Sequence, residues 1–451
     1  MSIQDEIKQK ILADYEARTP VSKKAAEEAE KYIPSGDTRA ISYFSPYPTF
    51  GNVGSGCYLY DDDGNQYIDF LNCMTAAIHG HAHPAIVEAQ IKQIHKGISH
   101  GIPCAAQREL AKILVDRVPS VEKVRFMNTG SEADLFAMRV ARAYTGRSII
   151  LKIDGGYHGS SDYAQVNEIS DIFTENPPNL FLASKGIPDD ILKYMRVVDY
   201  NDLEAVERVM AAEGTEVAAI ILEPVLGAGG GINPPNSYLQ GIRRLADTYG
   251  SLLIFDEVIS FRLSMGGRQL LAGVKPDLTV FGKIIGGGIP IGALGGNAAI
   301  MRLFDPRVQG NINQSGTFTG NALAMASGIA SLKLITQPEL DRIAGLAEKL
   351  SRIINRKITK LGINASALAI GSMLVMYGTR EKVSNSREAV SALMNNKDFL
   401  HFLFLEMLNR GVICLSRGLY SISTPMNDAI VEDAASRICC ALEIAAPLCR
   451  E

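Results

Sequence analysis

Short unbroken apolar runs alternate along this chain with longer stretches in which apolar residues recur every three or four positions. The short runs read as buried strands and the periodic stretches as amphipathic helices. Strands are predicted at 124–127, 148–152, 217–222, 252–255 and 278–281. Between them the spacing predicts a helix carrying Ala133, Phe136, Ala137, Val140, Ala141 and Tyr144 on one face, and others over 85–96, 237–249 and 322–334. Strands alternating with helices are the mark of an α/β domain.

The two ends have a different texture. Residues 6–32 read as helical with a break at Thr19-Pro20 and a restart at Ser22. Tyr58-Leu59-Tyr60, a turn rich in aspartate, and Tyr67-Ile68-Asp69-Phe70 predict a hairpin. Asp61, Asp62 and Asp63 in that turn are expected to be solvated. Beyond Pro338 come a long amphipathic helix over 339–361, short strands within 371–378 and 411–423, and a final helix over 429–447. Residues 385–396 read as an exposed insertion. The expected division is an N-terminal segment 1–70, a large domain 71–335 and a C-terminal α+β lobe 336–451, the first and last forming the smaller domain.

Composition narrows the function classes. The 451 residues are 47% hydrophobic with a net charge of −4, which gives no electrostatic case for nucleic acid or a membrane surface. No run is long enough to span a bilayer, and the first twenty residues lack an apolar signal core. Seven cysteines, without a C-x-x-C pair, predict reduced thiols in a cytoplasmic protein.

Candidate chemistry gathers at strand ends. The 252–255 run ends in Asp256 and Glu257, and the 278–281 run ends in Gly282-Lys283 followed by three glycines. In open α/β sheets ligands bind at the C-terminal edge of the strands. A lysine there is placed to form a Schiff base with an aldehyde such as pyridoxal phosphate, with an acid facing the pyridine nitrogen. A capped turn and a surface lysine would account for the same residues. Gly130-Ser131 opens a helix after a strand, which makes an anion site or an ordinary cap. Tyr157, flanked by glycines, suits a side chain laid over a flat ligand. Gly316 to Asn321 offers a second phosphate contact or a capped helix start. The irregular connection 169–195 has the character of a lid. His79, His81 and His83 alternate like zinc ligands, but no acid or cysteine has ligand spacing, so a turn before a helix is expected and no metal. Neither Gly227–Gly231 nor Gly286–Gly288 completes a dinucleotide fingerprint, because Ile232 and Ile291 stand where glycine is required.

Taken together and in order, these motifs resemble the class-III aminotransferases, fold-type I pyridoxal phosphate enzymes. The likeness covers nearly the whole chain. It includes Tyr67-Ile68-Asp69-Phe70, Gly80-His81-Ala82-His83-Pro84, Asn128 to Ala133, Gly156-Tyr157-His158-Gly159, Glu223-Pro224-Val225, Asp256-Glu257-Val258, Gly282 to Gly288 and Gly316 to Asn321. It is strongest to the branch holding glutamate-1-semialdehyde aminomutase and the β-amino-acid aminotransferases. The resemblance implies a mostly parallel seven-stranded sheet flanked by helices, beside a smaller α+β domain. It implies that Lys283 carries the cofactor as a Schiff base and shuttles the proton, which requires a site that keeps the amine neutral when it acts as a base. Asp256 would hold the pyridine nitrogen protonated. Val258 and Tyr157 would sandwich the ring, Gly130 and Ser131 would bind the phosphate, and Glu223 would belong to the cofactor site. Thr317 would reach the same phosphate from the partner subunit of a homodimer.

At the substrate end, Arg39 matches the arginine with which this branch binds a carboxylate, and a guanidinium fork suits that partner. Ser416-Arg417-Gly418 resembles the arginine loop of the β-amino-acid aminotransferases. The aminomutases lack that arginine and carry asparagine where Ala228 stands here. The expected reaction is therefore transfer of an amino group from an amino acid, such as a β-amino acid, to a 2-oxo acid such as 2-oxoglutarate or pyruvate. Intramolecular transfer by an aminomutase is the alternative.

Overall fold

The computed structural model describes residues 2–168 and 180–450, which fall into two compact units. The larger comprises residues 84–337 and 383–391, and the smaller comprises residues 1–83, 338–382 and 392–451.

The larger unit is built on a seven-stranded sheet in the order Lys123–Met127, Gly292–Gly296, Leu278–Gly282, Leu252–Asp256, Val217–Leu222, Ile149–Ile153, Met195–Val198. Only Gly292–Gly296 runs antiparallel to its neighbours. Every residue of Val217–Leu222, Leu252–Asp256 and Leu278–Gly282 is buried. Strands covered on both faces need continuous apolar runs rather than alternation, and that is what these segments supply. The shared direction places the C-terminal ends of five of these strands, at Met127, Ile153, Leu222, Asp256 and Gly282, on one edge. Helix Gly130–Thr145 springs from that edge and buries Ala133, Phe136, Ala137, Met138, Val140 and Ala141. Gly292 lets the reversed strand pass close beneath the helix entry, because a Cβ there would lie 1.9 Å from the Thr129 carbonyl oxygen.

The smaller unit contains two sheets. The expected hairpin forms between Tyr58–Tyr60 and Gln66–Asp69, with Tyr58 opposite Ile68. Val412–Ile413 joins it in parallel. Leu419–Ser421 instead pairs with Met373–Tyr377, so the segment predicted within 411–423 serves both sheets. Helix Gln337–Leu361 buries Leu340, Ile343, Leu346, Leu350, Ile354 and Ile358 along one stripe, as its periodicity requires.

Several expectations change. Asp61 is buried rather than solvated. Its carboxylate accepts the Tyr67 hydroxyl at 2.7 Å and the Asn65 amide at 2.7 Å. Asp63 accepts the amides of Val21 at 2.6 Å and Ser22 at 3.0 Å, which caps helix Pro20–Ala29. Residues 385–396 are not an exposed insertion. They form helix Ser386–Asn395, with Ser386, Ala389 and Ala392 buried at a spacing of three. Gly230 admits that helix, since a Cβ there would sit 2.5 Å from the Ala389 Cβ. His81 Nε2 meets Asp69 at 2.7 Å and His79 Nδ1 meets the Thr424 hydroxyl at 3.2 Å, so these histidines tie loops together. Of the connection 169–195, residues 169–179 lie outside the described residues. Leu182 forms a bridge with Val166, and Asp189–Tyr194 makes a 3-10 turn.

Lys152 is wholly buried in Ile149–Ile153, and its ammonium donates to the carbonyls of Val166 at 2.6 Å and Asn167 at 3.1 Å. Burial pulls its pKa down to about 8 from the ordinary 10.5. Between those values the unfolded chain binds more protons than the folded one, so this group makes folding more favourable as pH rises. Denaturant unfolding of the wild type and Lys152→Met at pH 8 and pH 10.5 checks this. The wild type is expected to gain stability relative to the variant across that interval, and a constant gap would contradict it.

Candidate active site

Asp256 ends the central strand Leu252–Asp256 and is buried. Its Oδ2 meets His158 Nδ1 at 2.9 Å and its Oδ1 accepts the Val258 amide at 3.0 Å. Burial pushes the His158 imidazole below its usual pKa, opposed by the hydrogen bond to Asp256. The neighbouring Glu257 does separate work. Its carboxylate accepts the Ser260 hydroxyl and the amides of Arg268 at 2.9 Å and Gln269 at 2.8 Å, fixing the turn beyond the strand.

Val258 lies in a slot between two glycines. A Cβ on Gly130 would meet Val258 Cγ2 at 3.1 Å, and one on Gly282 would meet Cγ1 at 3.3 Å. The valine thus rests against the start of helix Gly130–Thr145 and the end of the Leu278–Gly282 strand. The Thr129 hydroxyl accepts the Glu132 amide at 3.1 Å and caps the helix. The amides of Gly130 and Ser131 then stand at its positive end, where an anion is favoured. Lys283 follows directly on the strand, half-buried, with a left-handed φ of 49°. A non-glycine residue held there stores backbone strain of the kind that collects at functional sites.

Glu223 follows Val217–Leu222 and is buried. Its Oε1 accepts the Tyr157 amide at 3.0 Å and its Oε2 accepts the Gly227 amide at 2.9 Å. Burial first, and the Asp256 charge second, raise its pKa. Its visible work is to fix the backbone of Tyr157, whose ring is partly exposed.

All of these residues lie in the larger unit. Thr317 lies there too, exposed in the loop before helix Ala322–Leu334. Arg39 and Arg417 lie in the smaller unit, both exposed. Arg39 Nε is 4.0 Å from Asp37 and lines a cavity of about 410 Å³ with Tyr60, Met74, His81 and Ser416. Arg417 occupies a turn closed by the Gly418 amide and the Leu415 carbonyl. Two residues escaped the sequence reading as individuals. His158 was visible only as part of the Gly-Tyr-His-Gly motif. Asp134 is an acid in the middle of an apolar helix face, which is itself a signal.

The donor set fits pyridoxal phosphate. An acid with a fixed carboxylate, an amine at the next strand end, a helix N-terminus cleared by glycine and a valine seated between them are the groups its ring nitrogen, aldehyde, phosphate and ring face require. Among the described residues the buried Asp134 Oδ1 lacks a hydrogen-bond partner, and the Asp134 carboxylate lies within 4.8 Å of His158 and Asp256.

Residues 45–442 match the aminotransferase class-III family, and the chain belongs to it. A glutamate-1-semialdehyde 2,1-aminomutase of Syntrophobacter fumaroxidans is 42% identical over 393 residues, covering 86% of this chain and 88% of that protein. An omega-transaminase from Sphaerobacter thermophilus superposes with a TM-score of 0.90 at 35% identity, over 94% of this chain and 97% of that one. A transaminase with PLP bound superposes with a TM-score of 0.88 at 33% identity, over 96% and 99%. The fold is that of the fold-type I enzymes, and pyridoxal phosphate is the family's cofactor.

The glycine slot yields a test. Gly130→Ala is expected to weaken cofactor binding about tenfold by pushing Val258 out of place, a cost of the size of modest overpacking. Adding Val258→Ala should recover most of the loss. Reconstitution of apoprotein with pyridoxal phosphate, followed by visible absorbance, measures both. Equal affinity of Gly130→Ala and wild type would contradict the slot.

Proposed function

We propose that this enzyme moves an amino group within one small amino carboxylate, in the manner of a glutamate-1-semialdehyde 2,1-aminomutase. The observation that carries the reading is the likeness to curated aminomutases over most of the chain, at 42%, 39%, 43% and 36% identity in four of them. It reverses the order expected from Arg417 and Ala228. Both are exposed single residues outside the buried lattice around Asp256, and weigh less than likeness spread over the whole chain.

Bound pyridoxal phosphate supplies a sink for the electron pair left when a C–H bond beside nitrogen breaks. Lys283 Nζ would hold the cofactor and, once freed, would serve as the base that moves a proton at the substrate carbon. Asp256, its carboxylate anchored by His158 and Val258, would hold the ring nitrogen and favour its protonated form. Gly130 and Ser131 hold the phosphate together with the partner subunit's Thr317. Val258 and Tyr157 would cover the ring, and Glu223 holds the Tyr157 backbone in place. Arg39 takes the substrate carboxylate.

The homodimer is supported by exposed apolar side chains on the larger unit, at Ile91, Ile94, Ile98, Ile102 and Phe318, a set of the kind that marks interfaces. A cytoplasmic location is supported by seven free cysteines. Among the described residues no helix is long and apolar enough to cross a membrane.

The second reading is an aminotransferase that takes nitrogen from a donor such as a β-amino acid and passes it to 2-oxoglutarate or pyruvate. Arg417 and the likeness to the omega-transaminase favour it. Supplying purified holoenzyme with glutamate 1-semialdehyde alone separates the two. The aminomutase reading predicts its isomer, with the amine on the terminal carbon, and no need for an oxo acid. No isomer, together with turnover once a separate donor and a 2-oxo acid are both present, would overturn it in favour of the second reading.

A further inference from the structure

Helix Gly130–Thr145 carries Gly130, Asp134, Ala137 and Ala141 along one face. Three of these are small and suit a helix packed on a sheet, but Asp134 is an acid. It is only 2% exposed and lies among Ala133, Phe136, Ala137 and Met138. A buried ionised carboxylate costs several kcal/mol unless paired and hydrogen-bonded. A carboxylate oxygen of Asp134, a ring nitrogen of His158 and a carboxylate oxygen of Asp256 all lie within 4.8 Å of one another. Two buried carboxyl groups within that distance disfavour each other's charge, which favours a proton on one of them.

The choice of which acid keeps the proton follows from the partners. Asp256 has the His158 ring nitrogen at 2.9 Å and the Val258 amide at 3.0 Å on its two oxygens. Both contacts favour a carboxylate. Among the described residues Asp134 Oδ1 has no such support.

We propose that Asp134 is a positioning residue, a carboxylic acid whose proton is donated to the Asp256 carboxylate and so sets how strongly Asp256 holds the cofactor's ring nitrogen. Burial raises the Asp134 pKa well above its ordinary value, and the charge of Asp256, a hydrogen bond to it and the charge of Glu223 add to the rise. Lys283 opposes it, the weakest of these influences. The other titratable groups around this pocket are His158, whose buried ring is pushed toward neutrality, and Tyr157, near Ser131. The arrangement gives Asp256 a third hydrogen bond beside those from His158 and Val258. A hydrogen bond donated by Asp134 would take up part of the carboxylate's charge, so Asp134 weakens the hold of Asp256 on the ring nitrogen. A nitrogen held less tightly in its protonated form is a less permanent electron sink. The inference rests on the reading that Asp256 faces that nitrogen, and it is independent of which substrate is used.

Holoenzyme carrying Asp134→Asn, Asp134→Ala or Asp256→Asn tests the proposal without substrate. The infrared difference between wild type and Asp134→Asn at neutral pH is expected to contain the stretch of a protonated carboxyl group. Its absence would overturn the proposal. The bound cofactor's visible band is then titrated with pH. Asp134→Ala should move the midpoint by about one pH unit, the worth of one hydrogen bond to a charged group. Asp134→Asn, which keeps a neutral donor of the same shape, should move it by less than half as much. Equal shifts in the two variants, or no shift in Asp134→Ala, would also overturn it. Asp256→Asn is the control for the underlying reading. If it leaves the midpoint in place, Asp256 does not face the ring nitrogen, while the infrared band still reports on the Asp134 proton. The infrared comparison needs only the isosteric variant, so a poorly folded Asp134→Ala does not end the test.

Discussion

The carboxylate of Asp256 is buried at the end of a central strand, and both its oxygens are engaged, one by His158 and one by the Val258 amide. A charge out of water needs such partners. Meeting that need fixes the neighbourhood. His158 is held by the loop after Ile149–Ile153, which Glu223 pins through the Tyr157 amide. Val258 is seated only because Gly130 and Gly282 carry no side chain. Three strand ends and one helix start are thereby set in register around a single acid.

The two acids at that strand end divide their work by direction. Asp256 turns toward His158, whereas Glu257 gathers the amides of Arg268 and Gln269 and the Ser260 hydroxyl. Side chains alternate across a strand, so adjacent residues reach opposite sides. The same sheet carries Lys283 at the next strand end, in a left-handed backbone conformation that follows a glycine. The candidate acid and amine are therefore both placed by the sheet edge.

Much of this was legible in the amino-acid order. Val217–Leu222 and Ala322–Leu334 begin and end where the apolar pattern does. Lys283, Asp256, Gly130 and Tyr157 meet at one edge because each follows a predicted strand. What the pattern did not reveal depends on side-chain partners that apolar spacing does not mark. Asp61 looked like a solvated turn residue, and its burial arises from the Tyr67 hydroxyl and the Asn65 amide. Residues 385–396 looked exposed because their buried positions are small or polar, Ser386, Ala389, Ala392 and Asn396, and carry little hydrophobic signal. Asp134 could not be assigned a role from spacing, since its meaning lies in Asp256, far along the chain. Arg39 and Arg417 are exposed loop residues, which apolar periodicity does not mark, and only the resemblance singles them out.

The central claim is that Lys283, and no other lysine, carries the cofactor. Borohydride reduction of the holoenzyme fixes the cofactor to its lysine, and peptide mapping by mass spectrometry locates the bond. Lys152, wholly buried in another strand of the same sheet, is the natural competitor. The account predicts the label on Lys283 and none on Lys152. A label on Lys152, or one that persists in Lys283→Ala, would contradict it.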